Sequence, residues 1–192
     1  MGLGESFASV IGAARLGAEW ALSRLYADLQ PHVLGYLRSR APNEAEDLAS
    51  ETWIDVARGL ARFQGGEPEF RRFVFAIARR RLIDHGRLAS TRRTSAVPAA
   101  DLEHRGATGD AEAEAMSRLS AEEAAASIAA LLPADQADVI LLRVLGGFTA
   151  SEVAEIIGKS PGNVRVLQHR ALAALARSFA DARVTDPRRE AM

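Results

Sequence analysis

Residues 149–175 read TASEVAEIIGKSPGNVRVLQHRALAAL, and this stretch decides the fold of the carboxy-terminal part of the chain. Thr149 and Glu152 have the spacing of a capping box, which predicts the start of a short helix. Gly158 predicts the end of that helix, because glycine readily adopts the left-handed conformation found there. Ser160 then predicts the cap of a second helix, which has a proline at its first position. Two helices joined by such a turn are typical of a helix-turn-helix.

The second helix of this motif has a polar face near its amino-terminal end. Its apolar residues predict a buried stripe made of Val164, Leu167, Ala171, Leu172 and Leu175. Amide, guanidinium and imidazole groups on the opposite face suit base edges in the major groove, and the helix start favours phosphate. We therefore predict DNA contacts from the outward residues Gly162, Asn163, Arg165, Val166, His169 and Arg170. The alternative is an ordinary corner between two helices of a bundle.

The composition indicates an all-α protein of one or two small domains. The chain has 192 residues, and its segments of Ala, Leu, Arg and Glu have helical spacing, whereas alternating strand patterns are almost absent. There are 24 basic and 25 acidic residues, a net charge of -1, and the basic residues are arginines except for Lys159. The absence of cysteine excludes a disulfide framework and a thiolate metal site, and it fits a cytoplasmic protein.

Changes in composition along the chain predict two small helical domains joined by a flexible linker. The linker has five acids against two arginines, together with many small residues. The first 19 residues have apolar positions at helical offsets, so we expect either an amphipathic helix or a disordered leader. The predicted division is a leader at 1–19, a first domain at 20–93, the linker at 94–120, a second domain at 121–180 and a polar tail at 181–192.

An acidic helix is predicted from Glu44 to about Leu60, with Asn43 as its cap. One stripe of this helix is apolar and faces the core. The opposite face is polar and carries Glu46, Asp47, Ser50, Glu51 and Asp55. Such a face is often only solvated, yet it could also bind a basic partner protein.

A basic helix is predicted after a loop that contains two glycines and ends at Pro68. Residues 71–93 hold eight arginines and one acid, a net charge of +7. Phe70, Phe73 and Phe75 are interleaved with these arginines. Arginines contact phosphates and aromatic rings can hold unstacked bases, which is the chemistry of single-strand capture. The alternative for the phenylalanines is core packing, and we expect it for Phe73.

These stretches resemble a known protein family. EAEDLASETWIDVARGLARF at 44–63 and FRRFVFAIARRRLIDHGR at 70–87 resemble region 2 of the extracytoplasmic-function (ECF) sigma factors of bacterial RNA polymerase. LPADQADVILLRVLGGFTASEVAEIIGKSPGNVRVLQHRALAAL at 132–175 resembles region 4 of the same family. The two stretches occur in the order that the family has, with an acidic linker between them.

The resemblance implies a promoter-specificity subunit that needs no cofactor, metal or small-molecule substrate. Its partners would be promoter DNA, the β′ clamp helices and β flap of core RNA polymerase, and an anti-sigma factor that could hold it at the membrane. The face at Glu46, Asp47, Ser50, Glu51 and Asp55 would bind the clamp helices. The helix-turn-helix would read the −35 element through Ser160 to Arg170, which adds Ser160 and Pro161 to the outward residues. The −10 element would be melted and read by Phe63, Gln64, Phe70, Arg72, Arg79, Arg80, Asp84 and Arg87.

Two other classes of protein compete with this interpretation. A LuxR-like regulator would share the helix-turn-helix but would bind duplex DNA without polymerase. An enzyme with a carboxylate-metal bundle is disfavoured, because the four histidines are scattered, no Glu-x-x-His pair occurs and no phosphate-binding glycine loop is present. We therefore do not expect an enzyme.

Overall fold

The structure, a computed structural model, describes residues 2–93 and 123–184, and within these ranges it is helical without strands. The predicted all-α class is confirmed. The amino-terminal bundle consists of a 3-10 turn at Gly4–Ser6 and the helices α1 (Phe7–Arg15), α2 (Glu19–Arg38), α3 (Ala45–Leu60) and α4 (Glu67–Arg93). The carboxy-terminal bundle consists of α5 (residues 123–131), α6 (Ala134–Val144), α7 (Ala150–Ile157) and α8 (Pro161–Val184). The predicted linker at 94–120 and the tail beyond 184 lie outside the described residues.

The first 19 residues belong to the amino-terminal bundle. Phe7, Val10, Ile11 and Ala14 are buried along one face of α1. Their spacing of three and four residues is the helical period, so the amphipathic alternative is confirmed and a disordered leader is wrong for this segment. Helix α1 packs on α2.

Helix α2 continues through Pro31, although a proline inside a helix often kinks or ends it. The helix runs from Glu19 to Arg38 with Pro31 inside it. The proline is exposed, so its ring lies away from the core and only one backbone hydrogen bond of the helix is given up.

The predicted cap at Asn43 is wrong. Helix α3 begins at Ala45 after Glu44, and no side chain caps it. Asn43 lies instead in the turn before the helix, where the Glu44 N–H donates to the Ala41 carbonyl over 3.2 Å. Helix α8 continues to Val184, past the predicted boundary at residue 180 between the second domain and the tail.

The two bundles pack against each other through α4, which contacts α7. The Phe75 ring of α4 meets the Phe148 ring edge-on, with 5.0 Å between centroids, and both residues are buried. Aromatic pairs in this geometry stabilise by about 0.5–1.5 kcal/mol beyond the buried area. The described parts of the chain therefore form a closed arrangement. Over the same residues, no helix is both long and apolar enough to cross a membrane.

Candidate DNA and polymerase interfaces

Helices α7 and α8 form the predicted helix-turn-helix. The Thr149 hydroxyl accepts a hydrogen bond from the Glu152 N–H over 3.3 Å, and the Glu152 carboxylate accepts one from the Thr149 N–H over 2.8 Å. Gly158 ends α7 with a left-handed backbone at φ +68°. The Ser160 hydroxyl then accepts from the Asn163 N–H over 3.2 Å at the start of α8. The capping box, the glycine turn and the second cap are all confirmed.

The outward face of α8 is exposed as expected. The side chains of Val164, Ala171 and Leu175 are buried against the rest of the carboxy-terminal bundle. Leu172 was expected in this stripe but is 52% exposed, because the residue after Ala171 is turned about 100° away from it around the helix. The exposed residues at the start of α8 are Ser160, Pro161, Gly162, Asn163, Arg165, Val166, His169 and Arg170.

The phenylalanines around the 61–66 loop form a buried cluster. The Phe63 ring lies 5.4 Å from the Phe70 ring and 5.5 Å from the Phe73 ring, centroid to centroid. Phe63 and Phe70 are 9% and 1% exposed. Neither ring is presented to a base in this structure, and the core-packing alternative describes Phe70 here. Burial of these rings is favourable, because each ring removes a large apolar area from water.

The loop between these rings carries an exposed amide. Gln64 is exposed, and it is followed by Gly65 with φ +141°. A Cβ atom at Gly65 would come within 2.7 Å of the Glu69 Cβ, so the close turn requires glycine. The Gly66 N–H donates to the Glu69 carboxylate over 2.9 Å, which caps the start of α4. The loop thus presents Gln64 from a tightly held turn.

The outer face of α3 is polar with one apolar residue. Glu46, Asp47, Ser50 and Glu51 are exposed, as the acidic-face prediction requires. Ile54 lies one turn beyond Ser50 and is 50% exposed.

Asp55 is tied to α4 rather than presented to solvent. Its carboxylate lies 2.6 Å from Arg81 Nη2 and 2.9 Å from Arg80 Nη2, and its side chain is 13% exposed. Burial acts to raise the pKa of Asp55, but hydrogen bonds and charge from these two arginines outweigh it, so the pKa is lowered. The prediction that Asp55 belongs to the outer acidic face is therefore wrong, because the residue joins α3 to α4.

A buried carboxylate joins the two bundles. Asp138 of α6 is 2% exposed. Its Oδ2 atom lies 2.8 Å from Arg79 Nε, and its Oδ1 atom accepts from the Tyr36 hydroxyl over 3.1 Å and from Arg40 over 3.3 Å. Burial and the nearby Asp138 charge raise the pKa of Tyr36 well above its ordinary value, so the phenol stays protonated and remains the donor.

Arg72 makes a second link between the bundles. Its guanidinium lies 2.8 Å from Glu155 and 3.3 Å from Glu152, both on α7, and 2.8 Å from Glu69 on its own helix. Next to it, Arg71 donates to the Gly146 carbonyl over 2.7 Å. Arg72 and Arg79, both predicted to face the −10 element, are therefore covered by the carboxy-terminal bundle in this arrangement.

The remaining predicted residues of α4 stay accessible. The side chains of Arg80, Asp84 and Arg87 are 62%, 52% and 80% exposed. Asp84 and Arg87 lie one turn apart and form a loose pair at 3.8 Å.

Sequence reasoning missed the contact at Asp138. A signal was present, because Asp138 interrupts an otherwise apolar run at 137–142, and a charge in such a position is rarely buried without a partner. Its partners Tyr36 and Arg40 could not be found from spacing, since they lie about a hundred residues away in the chain.

Comparison with known proteins identifies both bundles. Residues 25–94 match the model of Sigma-70 region 2, and residues 122–175 match that of Sigma-70 region 4. The chain is 38% identical over 180 residues to the ECF RNA polymerase sigma factor ShbA of Streptomyces griseus, which covers 87% of this chain and 94% of that protein.

Two solved structures share the fold. One is CnrH in complex with the cytosolic domain of CnrY, with a TM-score of 0.65, 21% identity and coverage of 93% of this chain and 99% of that one. The other is the sigma factor RpoE with the anti-sigma factor NepR from Bartonella quintana, with a TM-score of 0.61, 18% identity and coverage of 82% and 96%. Both family regions in the family's order, and the identity to ShbA over most of both chains, show that this chain belongs to the ECF sigma factors of bacterial RNA polymerase.

Proposed function

We propose that this chain binds core RNA polymerase in the cytoplasm and directs it to promoters by reading −35 duplex and −10 single-stranded DNA. The observation that carries the proposal is the presence of both sigma regions, with an exposed polar face at the start of α8. The family consists of transcription regulators rather than catalytic enzymes. Accordingly, the polymerase would perform the chemistry, and this chain would supply specificity.

The −35 element would be read by the start of α8. Asn163, Arg165 and His169 offer donors and acceptors to base edges, and the free N–H groups at the helix start suit a phosphate. Val166 is 48% exposed and could contact a thymine methyl. Ser160, Pro161, Gly162 and Arg170 would border this surface.

The −10 element would be read by the 61–66 loop and α4. Gln64 would contact an extruded base through its amide, without help from the buried rings of Phe63 and Phe70. The backbone of the melted strand would be held by Arg72, Arg79, Arg80 and Arg87, with Asp84 as an acceptor for a base amine.

Promoter binding would require the bundles to separate. Arg72 and Arg79 cannot bind phosphates while Glu152, Glu155 and Asp138 occupy their guanidinium groups. Polymerase and promoter would therefore bind an open form of the chain in preference to the closed one, and this differential affinity would shift the population.

The outer face of α3 would bind the β′ clamp helices. Glu46, Asp47, Ser50 and Glu51 would meet basic residues of the partner, and the half-exposed Ile54 would supply an apolar contact within that polar rim. The carboxy-terminal bundle would meet the β flap. We further propose an anti-sigma factor as an inhibitory partner, on the family resemblance.

Run-off transcription with purified core polymerase tests this proposal. We expect promoter-dependent transcripts from a genomic library only when core and this chain are combined. Binding of duplex promoter DNA by the free chain, without binding to core and without transcripts, would instead favour the LuxR-like regulator. Absence of both transcripts and core binding would overturn the proposal.

A further inference from the structure

The segment before the matched region 2 holds the loop that carries Gln64. The family model begins at residue 25, whereas residues 3–15 contact the 61–66 loop and the start of α4 directly. We propose that residues 3–15 hold this loop in position, and that Arg15 in particular fixes the place of Gln64 against a base of the −10 strand. This inference rests on the proposed function and adds residues that lie before both matched sigma regions.

One end of the loop is held by Arg15. The guanidinium of Arg15, in the last turn of α1, donates a hydrogen bond to the backbone carbonyl of Phe63. Phe63 immediately precedes Gln64, so this bond fixes the backbone from which the Gln64 side chain leaves. A hydrogen bond from a charged group is among the stronger ones in proteins.

The other end of the loop is held by Glu67. The two carboxylate oxygens of Glu67 accept hydrogen bonds from the backbone N–H groups of Leu3 and Gly4, over 2.7 and 2.9 Å. Glu67 is the first residue of α4 and follows the loop directly. The amino-terminal segment therefore makes hydrogen bonds to the chain on both sides of the exposed turn at Gln64 and Gly65.

The aromatic cluster connects the two attachments. The ring of Phe7 on α1 lies 5.9 Å from the ring of Phe70 on α4, and Phe70 lies 5.4 Å from Phe63 of the loop. Phe7 is 5% exposed, so it is part of the core beneath the loop. The loop thus rests on α1 through packing as well as through Arg15.

These contacts assign Arg15 a positioning role rather than direct contact with DNA. Recognition of a single base depends on a donor or acceptor placed within a few tenths of an ångström, so a loop that moves loses discrimination before it loses affinity. The Arg15→Met variant removes the charge and the donor but keeps an aliphatic stem. The Glu67→Gln variant is isosteric and turns one acceptor into a donor that cannot bind a backbone N–H.

Two measurements on the full chain test the inference. Hydrogen–deuterium exchange of residues 61–66 in the free chain should be about tenfold faster in Arg15→Met, as for the loss of one charge-assisted hydrogen bond. In holoenzyme, the ratio of transcription from the best promoter to transcription from promoters with single −10 substitutions should fall by about three- to tenfold. Binding to core polymerase and to −35 duplex should stay within about twofold of wild type.

The controls separate positioning from general stability. Arg24→Met removes the same charge from an exposed position on α2 and should leave both readouts unchanged. Arg15→Lys should restore part of the discrimination, and Glu67→Gln should reproduce the effect from the other end of the loop if Arg15→Met does not fold.

Each outcome has a distinct meaning. Unchanged base discrimination in a folded Arg15→Met or Glu67→Gln holoenzyme would overturn this inference alone, whatever the exchange of the loop. An equal loss of core binding, −35 binding and discrimination would also overturn it, because the segment would then be merely structural. A wild-type chain that neither binds core nor transcribes would overturn the proposed function, and this inference with it.

Discussion

Arg79 Nε lies 2.8 Å from Oδ2 of Asp138, so a cation of the helix proposed to bind the −10 strand is paired with a carboxylate of the other bundle. The side chains of the two residues are 15% and 3% exposed. Removing one partner of a buried ion pair leaves the other charge uncompensated, which typically costs about 3–5 kcal/mol. The pair is therefore the contact whose loss should open the two bundles.

We expect Asp138→Asn to separate the bundles while both remain helical. The amide keeps the shape of the side chain but cannot neutralise Arg79 and Arg40, and separation returns both arginines to water. Small-angle scattering should report a larger radius of gyration, with unchanged far-ultraviolet circular dichroism.

Asp135→Asn is the matched control. Asp135 lies 3.4 Å from Arg79 but is 45% exposed, so its pair should contribute only about 0–1 kcal/mol. The scattering profile of this variant should match wild type. An Asp138→Asn chain as compact as wild type would contradict the assigned role of Asp138.

Local patterns were enough to predict the helix-turn-helix and most of the helices. The capping box at Thr149 and the turn at Gly158 depend on neighbours within four residues, and both could be predicted. The burial of Phe63 could not, because it depends on how α4 packs back against the loop and brings the Phe70 and Phe73 rings onto it.

The same distinction, between a pattern within one helix and packing between elements, explains which features of the site residues could be predicted. Exposure along α8 follows from one helix and its buried stripe, so the outward residues were predictable. Arg72 and Arg79 are covered by acids some 60 to 80 residues away in sequence, and Asp55 is held by arginines of another helix. An arginine-rich sequence predicts affinity for anions, but it does not distinguish phosphates from carboxylates of the same chain.

A charge reversal at Arg72 should distinguish its role in holding the bundles together from its role in promoter binding. Arg72→Glu places a carboxylate against Glu155 and Glu152, so it should open the bundles and also lower transcription by about tenfold or more. Adding Glu155→Arg restores an opposite-charge pair at an exposed position outside the capping box. The double variant should regain the compact scattering profile without regaining transcription.

Recovery of full transcription by that double variant would show that Arg72 has no role at the −10 element. Glu155→Arg alone serves as the control for the added charge on α7.

The exposed guanidinium at the start of α8 should contribute to −35 binding. We expect Arg165→Ala to weaken binding to a −35 duplex by about 1–3 kcal/mol, the usual range for a base or strong phosphate contact. Arg177→Ala, at an exposed position later on the same helix, should leave this binding unchanged. Fluorescence anisotropy at several salt concentrations measures the affinity of each variant for the −35 duplex. Equal affinities for Arg165→Ala and wild type would contradict the proposal that the outward face of α8 recognises the −35 element.

Acid should weaken the contact between the bundles at Glu152. Burial acts to raise the pKa of Glu152, but hydrogen bonds from Thr149 and the charge of Arg72 outweigh it, and the pKa is lowered. A lowered folded-state pKa gives stability that is complete above the unfolded value, about 4.3, and is lost as pH falls through the folded value.

Thermal unfolding followed from pH 7 to 3 checks this dependence. Glu152→Gln keeps the capping box, since glutamine can replace glutamate there, but it cannot titrate. Its melting temperature should therefore change less below about pH 4.3 than that of wild type. Parallel curves for the two proteins would contradict the role of the carboxylate.

The distance between the bundles in a transcribing complex tests most directly the claim that closure and promoter binding exclude each other. The chain has no cysteine, so Ser23→Cys and Ala173→Cys allow a dye to be attached to an exposed position on each bundle. Energy transfer should be high in the free chain and should fall when core polymerase and promoter are added, with run-off transcription retained. Unchanged transfer in a complex that transcribes from its promoter would contradict the account.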